Sequence, residues 1–395
     1  MPVLVAKIGR YPLNHGAVGA IRSLGRLGVP VHAITEDRLT PAAVSRYLRS
    51  SFVWPTTGRE NPDDLVEGLL DRGRRLGRPA ILLPTDDEAA VLVAEHAGVL
   101  AERFILPKVP PALPRRLADK AGLHELCRTA GIPAPRSERP GSVEELLAHA
   151  SAITYPVVLK NAAPWERLAH PAVTGTTIVH DEGEMRSIAG AWPAMPGVLV
   201  QEYLPADGAQ DWMVGAYCGG ASTCLVAFTG RKVRSWPPHA GVTTRAFTAS
   251  NPTLTSMTAA LCTSIGYRGV ADLDWRFDPR DEEYKLLDFN PRVGAQFRLF
   301  ETDAGIDVVR AHHLDLTGRP IPAGHQVDGR GFRVENLELP AALAYRRSRR
   351  GDALAVARGR TELAWLAVDD PLPAIAAAVR SAAPAAALLR RMLRR

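Results

Sequence analysis

The sequence predicts an α/β chain in which a doubly wound parallel unit precedes a set of antiparallel hairpins. Three observations carry that reading. First, VLVAKIG (3–9), a helical pattern over 17–27 closed by Gly28, and PVHAIT (30–35) form a strand–helix–strand opening. Second, ADLDW (271–275) and LLDFNPR (286–292) alternate apolar residues with acids on either side of the turn DPRDEE (278–283). Third, 46% hydrophobic and 23% charged residues, with no apolar run long enough to span a bilayer, are the proportions of a globular protein.

In chain order, the first unit continues with the strand PAILLP (79–84). TDDE (85–88) then has the spacing of a capping box before a helix running to about residue 101. An acidic turn at that place can also line a ligand crevice. Gly9, Gly16 and Gly19 do not fit G-x-G-x-x-G, so a nicotinamide or flavin cofactor is not expected. VPPALP (109–114) breaks the alternation and marks a boundary. One helix is expected over LADKAGLHELCRTA, closed by Gly131. A second covers 142–150, and the strand YPVVLK ends at Lys160. A loop rich in threonine follows (HPAVTGTT, 170–177), then the strand VLVQEYLP (198–205) and a hairpin turning at Gly219-Gly220. GRKVRSWPPHAGVTTRAF (230–247) reads as a loose basic loop, and Asn251-Pro252 opens a well-capped helix.

The net charge of +6 is local. Residues 346–395 hold eleven arginines and four acids, a net of +7, which leaves −1 for the rest. A solvated alanine- and arginine-rich helix accounts for this, and no nucleic-acid motif accompanies it. MPVLVAKIGR is too short and polar for a signal peptide, so a cytoplasmic location is expected. The four cysteines (Cys127, Cys218, Cys224, Cys262) lack CxxC pairing and are expected as small buried hydrophobes rather than zinc ligands. His312-His313 is expected on a helix surface.

The chemistry concentrates in the acidic hairpin. If it is symmetric about Asp281, Asp274 faces Asp288, and Asn290 projects from the same face as Asp288. Two carboxylates and an amide oxygen at one spot suit a hard cation such as Mg2+, and Arg292 lies within reach of a phosphate. Asp272 shares that face, so either it or Asp274 is the metal acid. Upstream, Lys120 opens a helix, Lys160 ends a strand, and Gln201-Glu202-Tyr203-Leu204 and Asp211 follow. Cations suit phosphates, a strand segment suits adenine, and an acid suits ribose hydroxyls.

In this order the pieces resemble the ATP-grasp superfamily, and within it the carboxylate–amine ligases that include D-aspartate ligase-like amino-acid ligases. The resemblance covers about residues 3–320 and rests on LLDFNPR, VLVQEYLP and VVLK. It implies an ATP-grasp fold with an N-terminal Rossmann-like domain (1–112), a small α+β lid (113–200), a C-terminal antiparallel catalytic sheet (201–320) and an extension (321–395) with a basic helical tail. It also implies that Lys120 and Lys160 contact the ATP phosphates, and that Gln201, Glu202, Tyr203 and Leu204 surround adenine. Asp211 would take the ribose, and Asp274, Asp288 and Asn290 would hold Mg2+, with Mn2+ an alternative. Arg292 would stabilise the transferring phosphoryl group.

The activity implied is ADP-forming amide synthesis from a small carboxylate and an amino-acid-like amine through an acyl phosphate. No nucleic-acid partner or membrane span is expected, and a homodimer is compatible. Arg231, Lys232, Arg234 and Arg245, with Arg298, are candidates for the carboxylate, Arg245 foremost. The alternatives are an ATP-grasp phosphotransferase, a carboxylate–thiol ligase, or a non-catalytic nucleotide-binding protein, which would be expected to lack the metal acids.

Overall fold

The computed structural model describes residues 1–166, 172–173, 175–238, 241–347 and 359–393. Five strands, β1 (Val3–Ala6), β2 (Val31–Thr35), β3 (Leu48–Val53), β4 (Ala80–Pro84) and β5 (Phe104–Ile105), make a parallel sheet in the order β3-β2-β1-β4-β5. Helices α1 (His15–Gly25), α2 (Pro62–Leu76), α3 (Asp87–Glu95) and α4 (Ala97–Leu100) connect these strands or follow them. β1 and β4 are buried over nearly their whole length, which is why they read as unbroken apolar runs. The strand order reverses between β1 and β4, so their carboxyl ends open a crevice. The cap of α3 is Asp86, one residue later than the capping-box spacing implies. One Asp86 oxygen accepts from Ala89 N (2.8 Å), and the other accepts from Ile8 N (2.9 Å) and Gly9 N (3.1 Å). Thr85 instead donates to the Ala6 carbonyl at 3.1 Å. The cap thus also closes the end of β1.

The single helix expected after the boundary is two, α5 (Leu113–Ala118) and α6 (Lys120–Ala130), broken where the extended Asp119 caps α6 through Gly122 N at 2.7 Å. β6 (Ser137–Glu138), β7 (Val157–Asn161), β8 (Thr176–Val179) and β9 (Val198–Glu202) then form an antiparallel sheet in the order β6-β9-β7-β8. Leu146 of α7 (Val143–His149) and Met185 of α8 (Glu182–Gly190) share its core with Leu159 and Val198. His170, Pro171 and Thr174 of the threonine-rich loop lie outside the described residues.

The largest sheet joins β10 (Gln210–Cys218), β11 (Cys224–Trp236), β12 (Val242–Thr248), β13 (Gly269–Asp278), β14 (Glu283–Asn290), β15 (Gly331–Arg333) and β16 (Thr361–Leu363) in the order β14-β13-β10-β11-β12-β15-β16. The basic segment expected as a loose loop is therefore mostly strand. β11 runs on to Trp236 and pairs with β12 through bulges around Arg234. Its charges do not force it into solvent, because acids from other elements meet them. α9 (Pro252–Ser264) starts at Asn251, whose side chain accepts from Leu254 N, and Leu254, Leu261 and Cys262 pack beneath the sheet. On α10 (Val308–Leu316), His312 and His313 are buried rather than on the surface. His312 meets the Tyr217 ring edge-on at 5.4 Å, and burial lowers its pKa to about 3, so it stays neutral.

Past residue 330, α11 (Glu335–Arg347) packs on β11 and β12, and α12 (Leu372–Leu393) returns to the N-terminal unit at residues 41–44. No helix among the described residues is long and apolar enough to cross a membrane. Asp370, 1% exposed, accepts from Arg22 Nε (3.0 Å), Ser45 Oγ (2.7 Å) and Arg46 N (2.9 Å). Arg22 also donates to the Trp365 carbonyl at 2.6 Å. Removing one partner of such a buried pair strands the other charge, at about 3–5 kcal/mol. Asp370→Ala should lose stability of that order in urea unfolding, whereas loss of an exposed pair such as Arg128–Glu125 should leave the unfolding midpoint almost unchanged.

Candidate functional site

The site begins with a register irregularity. Asp278 pairs with Glu283 and Trp275 with Leu286, so the turn is centred between Arg280 and Asp281, slightly before the Asp281 expected by symmetry. The register then shifts between Trp275 and Asp274, leaving Leu287 as the extra residue of a bulge. That bulge brings Asp288 opposite Asp274 and Asn290 opposite Asp272. Without it, Asp274 would face Leu287.

Three buried or half-buried acids on one patch require compensation, and it arrives from separate elements. Lys120, at the start of α6, forms an ion pair with Asp288. Lys232 of β11 lies 2.6 Å from Asp274. Arg292 donates to Asn290 Oδ1 at 3.0 Å and to Asp87 at 3.1 Å, and lies 3.6 Å from Asp272. Burial and the Asp274 charge push Asp272 up to about 7. Burial also acts against the Asp288 carboxylate, but Lys120, then Lys160 and Arg292, hold it below its ordinary value. Lys160, at the end of β7, is lowered to about 8 by burial and by Lys120. The Asp272 carboxylate receives Asn290 Nδ2 at 3.5 Å and turns toward Arg292, while Asp274 and Asp288 flank the cavity.

Two neighbouring cavities of about 440 Å³ each share Lys160, Thr176 and Asp288. One contains Gln201, Glu202, Tyr203, Leu204, Asp211 and Asp274 along its walls; the other contains Lys120, Asn290 and Asp87. The sequence-derived residues thus converge, apart from four arginines. Arg292 reaches the second cavity only through Asp87 and Asn290, and Arg245 lines neither. Arg245 instead sits 3.9 Å from Glu338, which also binds Arg234. Arg231 turns away, over the Trp212 ring at 5.1 Å and onto Gln210 at 2.9 Å. Arg298 is buried and committed to Asp307 (2.7 Å), with Glu362 at 3.5 Å, so packing uses up its charge.

Two contributions were not foreseen, and a third fulfils the crevice role that the acidic turn offered beside its cap. Arg276 faces Asp211 across β10–β13 and binds it at 2.6 and 3.1 Å. It lies two residues past Asp274, so the strand period of two could have found it. Arg280 holds Glu202 at 2.7 Å from the turn. Asp87 serves as both first-turn acid of α3 and cavity wall, so the acidic turn has the crevice role as well as the cap. The donors at Asp274, Asp288 and Asn290 are all oxygens, a set that fits a hard divalent cation.

No protein-family model matches the chain. It is 25% identical over 292 residues to the D-aspartate ligase of Enterococcus faecium, covering 70% of this chain and 68% of that protein. It is 24% identical over 369 residues to the biotin carboxylase of Allochromatium vinosum, covering 86% and 76%. Among solved structures, the L-amino acid ligase of Bacillus licheniformis superposes with a TM-score of 0.58 at 15% identity, over 80% of this chain and 73% of that one. The biotin carboxylase domain of Hydrogenobacter thermophilus 2-oxoglutarate carboxylase, solved with MgADP and bicarbonate, gives 0.60 at 18% identity, over 82% and 71%.

The acid patch makes a direct prediction. With Mn2+ as a paramagnetic probe, Asp288→Ala should weaken ion binding by at least roughly tenfold. Lys232→Met should strengthen it, because the competing ammonium at Asp274 is gone. Titration followed by electron paramagnetic resonance distinguishes the two directions.

Proposed function

The chain belongs to the ATP-grasp superfamily, and on that premise we propose that it is an ADP-forming carboxylate–amine ligase acting on small, amino-acid-like substrates. The observation that carries this is the meeting of Asp274, Asp288 and Asn290 with Lys120 and Lys160 at cavities that continue to Gln201–Leu204 and Asp211. In this reading Glu202 and the Tyr203–Leu204 backbone receive adenine, Asp211 takes the ribose, and Lys120 and Lys160 take phosphate oxygens. Nucleotide binding then exchanges partners. Lys120 moves from Asp288 to phosphate, and Asp211 shares its oxygens between Arg276 and ribose. Mg2+ held by Asp274, Asp288 and Asn290 would supply charge neutralisation of the phosphates.

The chemistry needs no protein nucleophile. A substrate carboxylate oxygen bonds to the γ-phosphorus as the bond to the β-phosphate oxygen breaks, releasing ADP. Arg292, fixed by Asp87 and Asn290, would meet the charge on the transferring group. The amine nitrogen then attacks the acyl carbon, the bond to phosphate oxygen breaks, and an amide remains. Water must be kept from the acyl phosphate meanwhile.

ADP release measured across a panel of carboxylates and amines tests this reading and separates amide synthesis from transfer to a phosphate acceptor or a thiol. Asp288→Ala and Asn290→Ala should fold normally and lose ADP formation, since each removes a ligand rather than core packing. Wild-type turnover in either would remove the metal assignment.

Substrate choice is assigned to the β11–β12 hairpin, where Arg234 lines the cavity and shares Glu338 with Arg245. Arg234→Ala should raise the KM for the carboxylate roughly tenfold, the scale of one lost charge-assisted hydrogen bond, with little change in the KM for ATP. Arg245→Ala, at a residue that lines neither cavity, should have a smaller effect. Arg231→Ala should change neither, because that guanidinium lies on Trp212. Unchanged carboxylate KM in Arg234→Ala would make the hairpin a scaffold only.

A further inference from the structure

Three of the four cysteines, expected as unrelated buried hydrophobes, converge away from the acid patch. Cys218 ends β10, Cys224 begins β11 and Cys262 lies on α9. Their sulfur atoms all lie within 4.8 Å of one another. Cys127 is not in the group.

Several local irregularities build this arrangement. The β10–β11 register shifts between Tyr217 and Cys218, so Cys218 pairs with Cys224, and Leu225 is the extra residue of the bulge. The connector passes through Ala221 (φ 55°) and Ser222 (φ 59°), two of the three non-glycine residues with positive φ among the described residues. A side chain in that region is strained, and such strain persists only where surrounding structure enforces it. Thr263, beside Cys262, donates to the Ser222 carbonyl at 3.3 Å and ties α9 to the connector. Cys218 and Cys262 are fully buried, whereas Cys224 is partly exposed and gives the group an entrance.

We propose that Cys218, Cys224 and Cys262 form a three-thiolate site for a soft, closed-shell metal ion of the Zn2+ or Cu+ class, separate from the acid patch. A cross-strand disulfide between Cys218 and Cys224 would use two of these sulfurs and leave Cys262 without a role; a metal ion uses all three. Sulfur-only donors select soft ions and reject Mg2+. Metal–sulfur bonds of about 2.3 Å place three thiolates roughly 4 Å apart, so the observed group closes on an ion by small side-chain rotations. The partly exposed side at Cys224 leaves room for water as a fourth ligand. Bound there, the ion would clasp the β10–β11 hairpin to α9. No CxxC spacing announces the site, because each ligand comes from a different element.

The test uses the full chain, reduced and anaerobic, with Cd2+ as the optical probe and excess Mg2+ present to occupy the acid patch. One Cd2+ per chain should bind with a saturating sulfur-to-metal charge-transfer band, and should displace Zn2+ bound beforehand, as the softer ion. Cys262→Ser should lose the band, while Cys127→Ser and Asp288→Ala should keep it. The wild-type chain provides a readout that no folding defect can mimic: bound Cd2+ should protect the partly exposed Cys224 from alkylation, read by mass spectrometry. Absence of a saturating band in the reduced chain, persistence of the band in Cys262→Ser, or isolation of a Cys218–Cys224 disulfide that fails to take up metal after reduction would each overturn the proposal.

Discussion

Like charges packed into one strand pair are the constraint on which this chain depends. Asp272, Asp274 and Asp288 stand on adjoining rungs of β13 and β14, with Asn290 beside them. Left alone, such a group would take up protons as it was buried, and Asp272 moves in that direction. The patch stays partly ionised because cations reach it from α6, β7, β11 and the segment after β14. Each of these elements belongs to a different part of the chain. Electrostatic balance at one point therefore fixes how the three sheets meet.

The same constraint explains why the ion pairs of the patch suit an exchange of partners. Lys120, Lys232 and Arg276 hold acids that the proposed function gives to metal and nucleotide. In that function Lys120 passes to phosphate as the metal takes its place on Asp288, while Arg276 keeps its hold on Asp211. The N-terminal sheet joins the balance through Asp87 on Arg292, and the segment after residue 359 secures that sheet through Asp370 on Arg22. Distant parts of the sequence thereby share in holding one arginine in place.

Much of this was legible in the sequence because it follows from periodicity. The strand–helix alternation at the start, the caps at Asn251 and Gly131, and the pairing of Asp274 with Asp288 are local or nearly local consequences of residue order. The last was reached from hairpin symmetry, although the turn lies off that centre and the Leu287 bulge makes up the difference. What sequence could not supply was long-range pairing. The segment 230–247 reads as a loose basic loop until Glu338 and Asp274 are seen to meet its charges. Arg245 reads as a substrate ligand until the cavity is seen to stop at Arg234. The buried histidines and the cysteine group follow from packing between elements with no spacing rule to reveal it. Thr85 and Asp86 exchanged roles because Asp86 gained the backbone of β1, seventy-odd residues away, as a second partner.

The central claim is that a carboxylate oxygen is phosphorylated before an amide forms, and oxygen-18 transfer measures that step. A carboxylate that supports ADP release is supplied with both oxygens labelled, together with ATP and its amine, and the released phosphate is analysed by mass spectrometry. The account predicts one labelled oxygen in the phosphate for each amide formed. Unlabelled phosphate accompanying stoichiometric amide would contradict it.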